Sequence, residues 1–280
     1  MTAPTAPHRP NPGRAGPTRA ALRAELTKAL TLRSLWIGAG VILALNVYFA
    51  QMNVSLLADL AQTLEDGRFV AYDGTVASFE TAVRDSILSS PYQSAALFVP
   101  LLIAVVCGQE YRTGQIRTTA AAVPNRWRLA TVQIIVSVVL GVVVTILAFV
   151  MSDVVLLLAL PAEGRDVVLS AAGMLVGAKV LTYSAVMSVV AGVLTTVLRS
   201  TMPALVAIVA VLVLALSGVL LPLSPLVHGL LPMIAAKTFL FGYAPDATDP
   251  SVAAGLVILL GWLTAGAATW FGALRYREIG

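Results

Sequence analysis

Long apolar stretches alternate with short polar ones along most of the chain. A helix of about 20 apolar residues can cross the ~30 Å hydrocarbon layer of a bilayer. Each apolar stretch reaches that length, and Lys179 is the one charged residue within these stretches. The pattern therefore predicts membrane-spanning helices within residues 34–58, 86–108, 129–152, 167–198, 200–236 and 251–274.

The fifth stretch differs from the others because prolines interrupt it. A proline inside a helix removes a backbone hydrogen bond and favours a kink or an end. We therefore expect one spanning helix over about 203–221. The segment that follows, 222–250, need not cross the membrane, and it is expected to form either re-entrant helices or short helices at the outer surface. The prolines are Pro203, Pro222, Pro225 and Pro232.

The composition supports a membrane protein. Hydrophobic residues make up 58% of the 280-residue chain and charged residues only 11%, whereas an ordinary soluble domain carries about 25% charged residues. The mean hydropathy is +0.89. We therefore predict an all-α polytopic membrane protein with six transmembrane helices. Its single cysteine, Cys107, excludes an intramolecular disulfide and a cysteine-rich metal site.

Basic residues are concentrated in alternate segments between the apolar stretches. Thirteen of the 18 lysines and arginines precede the first stretch, follow the last, or lie between the second and third or the fourth and fifth. Acidic residues instead gather in the 55–90 loop. Cytoplasmic loops are enriched in lysine and arginine, so both termini are predicted to be cytoplasmic. The net charge of +4 then reflects topology and attraction to anionic lipid, not nucleic-acid binding.

The segment before the first span contains two patterns. Residues 1–17 are rich in proline and small residues, which predicts a disordered cytoplasmic tail. Residues 18–280 are expected to form one transmembrane domain. Within 18–33 the apolar residues recur near helical spacing, which is typical of an amphipathic helix in the membrane interface; a cytosolic extension of the first span is the alternative. The apolar stripe comprises Leu22, Leu26, Ala29, Leu30 and Leu32.

A basic loop, residues 109–129, separates the second and third predicted spans. Good helix formers over 113–122 predict a short cytoplasmic helix, which ends before Pro124. Topology alone requires neither a glutamate among the arginines nor a glycine four residues later. Glu110 and Gly114 therefore indicate a role beyond topology.

The charged residues of the basic loop leave several interpretations open. Arg126 and Arg128 flank Trp127, whose amphipathic ring suits the headgroup level of a membrane. The two arginines either determine topology or contact a partner. The glutamate of the loop is expected to pair with Arg112 or Arg117, or with a basic residue of a partner.

The basic loop resembles the first cytoplasmic loop of the type-2 ABC exporter permeases. That family shows glycine, glutamate, a second glycine, and isoleucine or leucine with arginine, followed by a short helix, a proline and a basic pair. The turn at 197–206, the C-terminal FGALRYREIG and the amphipathic N-terminal helix resemble the family too. A lysine that follows the basic pair in many members is absent from this sequence. The matching residues are Gly108, Glu110, Gly114, Ile116, Arg117, Pro124, Arg126 and Arg128.

The resemblance implies the membrane-spanning subunit of an ATP-driven exporter in a bacterial cytoplasmic membrane. The helix over 113–122 would be a coupling helix on a separate ATPase subunit, and a second permease copy or paralogue would complete the pathway. The sequence lacks G-x-x-x-x-G-K-[S/T], so ATP and Mg²⁺ would be bound by the partner. A drug, lipid, peptide or antibiotic-like molecule would be exported. The implied ATPase contacts are Glu110, Arg112, Gly114, Gln115, Ile116, Arg117, Pro124 and Arg126.

Polar residues within the predicted spans belong either to a transport pathway or to helix packing. Lys179 is expected to extend toward headgroups, to pair with Asp153 or Asp166, or to contact substrate. The others are more typical of hydrogen bonds between helices. The candidates are Asn46, Gln51, Lys179 and Tyr183.

Two other classes of protein remain as alternatives. An ion-coupled secondary transporter would carry acidic or histidine side chains in its spans for coupling, and here Lys179 is the main candidate. A non-transporting membrane anchor of a complex is the second alternative. Catalysis is not expected, because Ser217 lacks a glycine two positions before it and no histidine–glutamate cluster offers a metal site.

Overall fold

The computed structural model describes residues 17–62, 68–70, 76–123, 125–160, 162–242 and 250–276. The predicted tail therefore lies outside the described residues except for Pro17, as does the C-terminal 277–280. Helices dominate the described part, with one small hairpin. The elements are α1 Pro17–Leu30, α2 Arg33–Gln62, β1 Arg68–Val70, β2 Val76–Ser78, α3 Phe79–Gln93, α4 Val99–Arg112, α5 Gln115–Ala122, α6 Arg126–Ala159, α7 Ala162–Val168, α8 Ala171–Leu198, α9 Thr201–Ser217, α10 Pro225–Gly229, α11 Pro232–Phe241 and α12 Val252–Tyr276.

In the described part of the chain, five helices are long and apolar enough to cross a membrane. The first and last of these expose most of their surface, whereas the second and fourth are mostly buried inside the bundle. The prediction of a helical, multi-pass membrane protein agrees with this arrangement. The five helices are Arg33–Asp59, Phe79–Arg112, Arg126–Ala159, Ala171–Leu198 and Val252–Arg275.

The fifth predicted span is shorter than expected. α9 has 17 residues, which is about 26 Å at 1.5 Å per residue. It ends at Ser217 because Gly218 adopts a left-handed conformation with φ of 62°. The predicted helix over 203–221 is therefore too long at its C-terminal end. The proline-rich segment then forms α10 and α11, and α11 packs against α12.

The second long helix begins earlier than its apolar stretch. α3 starts at Phe79, where Ser78 accepts a hydrogen bond from the backbone N–H of Thr81 at 3.2 Å. Pro91 lies inside α3, and one turn of π-helix, Ser94–Phe98, joins α3 to α4. A proline and a π-turn both disturb the regular hydrogen-bond ladder, yet the helix continues to Arg112.

The predicted 55–90 loop is largely wrong. α2 continues to Gln62 and α3 begins at Phe79, so helices take up both ends of this segment. Between them, β1 and β2 pair antiparallel with Arg68 opposite Ser78. The boundary was misplaced because charged residues at the ends of these helices interrupt the apolar pattern without ending the helix.

Polar side chains connect the helices at three or more points within the core. Asn46 is fully buried in α2; its Nδ2 donates to the Ala148 carbonyl at 2.7 Å, and its Oδ1 accepts from Ser94 Oγ at 2.9 Å. The hydroxyls of Thr145 and Ser184 lie 2.7 Å apart and join α6 to α8. Such bonds between helices are typical of membrane bundles, where hydrocarbon offers no alternative partner.

One end of the bundle holds the basic loop together with α1 and the end of α12. Lys28 in α1 contacts Glu110 at the end of α4. Phe271 in α12 packs on Trp127 at the start of α6, and Thr201 at the start of α9 lies against α4. We call this end of the bundle the basic end. Its basic residues include Lys28, Arg112, Arg117, Arg126, Arg128, Arg199 and Arg275.

Candidate functional site

The basic loop contains the predicted short helix, which starts two residues later than expected. Gly114 separates α4 from α5 with a left-handed φ of 70°, a conformation that costs glycine little. The backbone N–H of Thr113 donates to the Gln109 carbonyl at 2.9 Å and closes α4. The chain thus turns within two residues, and α5 begins after Gly114 as a separate element.

α5 has one buried face and one exposed face. Ile116 and Ala120 lie four positions apart, one helical turn, and are buried. Gln115, Arg117 and Thr118 are exposed on the rest of the helix. α5 is therefore attached to the bundle by two apolar side chains while it presents polar and cationic groups outward.

Glu110 is buried and forms its ion pair with α1. Lys28 Nζ lies 2.6 Å from Glu110 Oε1 and 2.5 Å from Glu25 Oε2. Gln133 Nε2 in α6 donates to Glu110 Oε2 at 2.9 Å. The expectation that this glutamate pairs with an arginine of its own loop is wrong, because Arg112 and Arg117 are exposed whereas the carboxylate points into the bundle. Three helices, α1, α4 and α6, are thereby joined at one carboxylate.

Lys28 forms ion pairs with two carboxylates, those of Glu25 and Glu110. Burial by itself lowers the pKa of the Lys28 ammonium, but the charges of Glu110 and Glu25 and the hydrogen bonds to them raise it more. The net result is a pKa above the ordinary value for lysine. Lys28 therefore stays protonated at neutral pH, as the ion pair requires.

Gly108, just before the basic loop, and Gly114, within it, serve different purposes. A Cβ at Gly108 would overlap the side chain of Thr201, so α4 and α9 approach each other closely at this point. A Cβ at Gly114 would meet nothing within 4 Å. Gly114 is instead required by its left-handed backbone. Close helix packing explains the first glycine and turn geometry the second.

α6 begins at Arg126, within the C-terminal part of the basic loop. The Asn125 side chain accepts a hydrogen bond from the backbone N–H of Arg128 at 3.1 Å and caps the helix. Trp127 packs against Phe271 with ring centroids 4.6 Å apart. Arg126 is half-buried, and its Nη1 has no hydrogen-bond partner among the described residues. Pro124 lies outside the described residues.

The polar candidates within the spans lie apart from the basic loop. Lys179 Nζ donates to the Leu240 carbonyl at 3.5 Å and lies 5.6 Å from the centroid of the Phe239 ring. No ion pair of Lys179 with Asp153 or Asp166 is present in the described residues, so that expectation is wrong. The lysine instead contacts α11, which covers it from the proline-rich segment.

The other three candidates also differ in their surroundings. Asn46 forms the interhelical hydrogen bonds described above, which agrees with a packing role. Gln51 is exposed. Tyr183 is fully buried, with its ring centroid 5.7 Å from that of Tyr92, and its hydroxyl has no hydrogen-bond partner in the described part of the chain.

The role of Lys28 was missed at the level of sequence. The apolar stripe predicted for α1 contains leucines, whereas the side that packs into the bundle carries Ala21, Glu25 and Ala29. Small residues allow α1 to approach α6 closely, and a buried glutamate interrupts the apolar pattern. The available signal was the Glu25–Lys28 spacing of one helical turn, which is common on exposed helices and is not specific.

No protein-family model matches the chain, and no curated protein matches it. The described residues contain no group of three or more His, Cys, Asp or Glu side chains that could hold a metal ion. The basic end consists of a short, partly exposed helix connected to three longer helices through packing and one buried ion pair.

Proposed function

We propose that this chain is the membrane-spanning subunit of an ATP-driven exporter. A separate ATPase subunit binds ATP and Mg²⁺, and this chain supplies no catalytic site. Six spans cross a bacterial cytoplasmic membrane, with α9 as the fifth, and both termini are cytoplasmic. Two permease chains, identical or paralogous, form one pathway for a drug-like, lipid, peptide or antibiotic-like substrate.

The observation that carries this proposal is the geometry of α5. It is a short helix set off from α4 by Gly114, with Ile116 and Ala120 packed inward and Gln115 and Arg117 exposed. A polar helix seated in a groove of an ATPase has to be accessible on one side and attached firmly on the other. The resemblance of this segment to the first cytoplasmic loop of the type-2 ABC exporter permeases supports the same role.

The buried ion pair supplies the route by which movement of α5 reaches the spans. Glu110 lies four residues before Gly114 and is bonded to Lys28 in α1 and to Gln133 in α6. When ATP closes the ATPase subunits, the displacement of α5 is shared by α1, α4 and α6 because these helices are joined at one carboxylate. Rigid helices then tilt together, and the pathway changes from inward-open to outward-open.

Co-purification tests the proposal directly. The tagged chain is extracted from native membranes in a mild detergent, and the proteins that accompany it are identified by mass spectrometry. Arg117→Glu reverses a charge on the exposed face of α5. Arg84→Glu is the matched control, because Arg84 is also exposed but lies at the start of the second span, at the opposite end of the bundle.

We expect a P-loop ATPase in stoichiometric amount with the unmodified chain and with Arg84→Glu, and a strong loss with Arg117→Glu. Absence of any P-loop ATPase, or equal recovery with all three chains, contradicts the proposal. In that case substitution of Lys179 in an ion-gradient transport assay addresses the ion-coupled alternative.

A further inference from the structure

A groove lies on the outside of the bundle between the start of α6 and the second half of α12. Its volume is about 460 Å³. Small side chains form its floor, so the surface of α12 is recessed there. The groove is lined by Trp127, Thr264, Ala267, Ala268, Phe271, Gly272 and Arg275.

The mouth of the groove is aromatic and cationic. The Trp127 side chain is 53% exposed and packs against Phe271. The Arg275 guanidinium lies 5.9 Å from the centre of the Trp127 ring. Among the described residues that line the groove, none is acidic. A phosphate at the mouth would meet the positive charge of Arg275 and no carboxylate from these residues.

The length of the groove along α12 fits a lipid acyl chain. Arg275 is the last residue of the long apolar helix, so it lies where hydrocarbon gives way to headgroups. From Arg275 back to Thr264 is about 16 Å along a helix that rises 1.5 Å per residue. That distance is close to half of the ~30 Å hydrocarbon layer, which is the length that one leaflet offers to an acyl chain.

The arginines near the mouth of the groove favour an anionic lipid headgroup. Arg126 and Arg128 precede and follow Trp127 in the sequence, and the Arg275 guanidinium contacts the Trp127 ring. Basic clusters at the end of a membrane helix attract anionic lipids by about 1 kcal/mol for each Lys or Arg near the surface. A guanidinium carries five N–H donors and can bind two phosphate oxygens side by side.

We propose that this groove binds one anionic phospholipid. Its phosphate lies against Arg275 beside the Trp127 ring, and one acyl chain runs over Ala267, Ala268 and Gly272. The site belongs to the outer surface of the bundle, and it does not depend on ATP coupling or on any transported substrate. An anionic lipid held there would join the end of α12 to the start of α6.

Two substitutions test the two ends of the site separately. Arg275→Gln removes the charge at the mouth. Gly272→Leu fills the groove, and a Cβ at Gly272 would meet nothing within 4 Å, so the fold should tolerate it. Gly261→Leu is the matched control, because Gly261 lies on the same helix, also has open space beside it, and does not line the groove.

Bound lipid is counted by native mass spectrometry of detergent-purified protein titrated with phosphatidylglycerol or phosphatidylcholine. We expect one tightly bound phosphatidylglycerol molecule and much weaker binding of phosphatidylcholine. Arg275→Gln removes a charge-assisted bond and should lower the affinity for phosphatidylglycerol about tenfold. Gly272→Leu should lower the affinity for both lipids, and Gly261→Leu should bind both as the unmodified protein does. Melting temperatures confirm that each variant is folded.

Three outcomes overturn the proposal. The first is equal affinity for the two lipids. The second is unchanged phosphatidylglycerol binding in both Arg275→Gln and Gly272→Leu. The third is a groove covered by a second copy of the chain, which would appear as a dimer that Gly272→Leu disrupts and lipid does not.

Discussion

Lys28 Nζ and Glu110 Oε1 lie 2.6 Å apart although 82 positions separate them in the chain. This contact joins the N-terminal helix to the residue that precedes the turn into α5. The Glu110 residue is only 7% exposed, and Lys28 is half-buried, so water screens the pair poorly. A buried charge left without its partner is costly, and the pair is therefore a point where a single change alters the coupling of three helices.

Breaking this pair should destabilise the protein strongly. Lys28→Met leaves Glu110 and Glu25 buried without a cation, which is expected to lower the free energy of unfolding by about 3 kcal/mol. The check is reversible or scan-rate-corrected unfolding in detergent micelles. Glu110→Gln should have a smaller effect, because the amide keeps an acceptor for Lys28 and removes one buried charge.

The exposed pair of Arg84 and Glu80 provides the control. Its atoms lie 3.0 Å apart and its spacing is also within one helical turn, but both side chains are accessible to solvent. Arg84→Gln should change the free energy of unfolding by less than about 0.5 kcal/mol. A Lys28→Met effect no larger than this one would contradict the importance of the buried pair.

The raised pKa of Lys28 predicts that the stability of the protein falls at alkaline pH. A raised pKa in the folded state contributes stability that is fully present below the unfolded value of about 10.4. That contribution is lost as pH rises through the folded pKa. The melting temperature should therefore show no contribution from Lys28 titration between pH 7 and 9, and should fall above about pH 10.5. Lys28→Arg keeps its charge in this range and should fall less steeply; identical profiles for the two proteins would refute this assignment.

Substitutions of Gly108 and Gly114 should be rescued by different second changes. Gly108→Ala inserts a methyl group against Thr201, and overpacking of this kind costs about 1–3 kcal/mol. Adding Thr201→Ala should recover much of that loss.

Gly114→Ala should cost about 1–2 kcal/mol through backbone strain alone, and adding Thr201→Ala should not recover that loss. Gly114→Asn should be tolerated better than Gly114→Ala, since asparagine adopts the left-handed region more readily. Thermal unfolding of the five variants decides between these expectations.

The helical architecture was predictable because long apolar stretches in a membrane protein leave little alternative to helices. The short helix α5 was also predictable, since helix formers follow Gly114 and precede Pro124. The predicted boundaries were wrong where charge and helix end do not coincide. α2 and α3 carry acidic residues in their outer turns, including Asp59 and Glu80, and the charge-free stretches end before the helices do.

The contacts of the charged residues could not be predicted from one sequence. Lys28 and Glu110 belong to separate helices, and only the packing of α1 on α6 brings them together. Two arginines close to Glu110 in the chain were more obvious partners, yet both point outward. Lys179 shows the same difficulty, because its neighbour is a backbone carbonyl of α11 and not an acidic side chain.

Asn46 is expected to act in helix packing and not in a transport pathway. It is fully buried and bonded to the Ala148 carbonyl and to Ser94 Oγ. Asn46→Ala removes both bonds and leaves a small cavity, which should cost about 1–2 kcal/mol. Gln51→Ala is the matched control: Gln51 lies in the same helix but is exposed, and its substitution should change stability little. If Asn46 acts in packing alone, any loss of function in Asn46→Ala scales with its loss of folded protein. If this variant instead keeps its melting temperature and changes substrate selectivity in membrane vesicles, Asn46 belongs to the pathway.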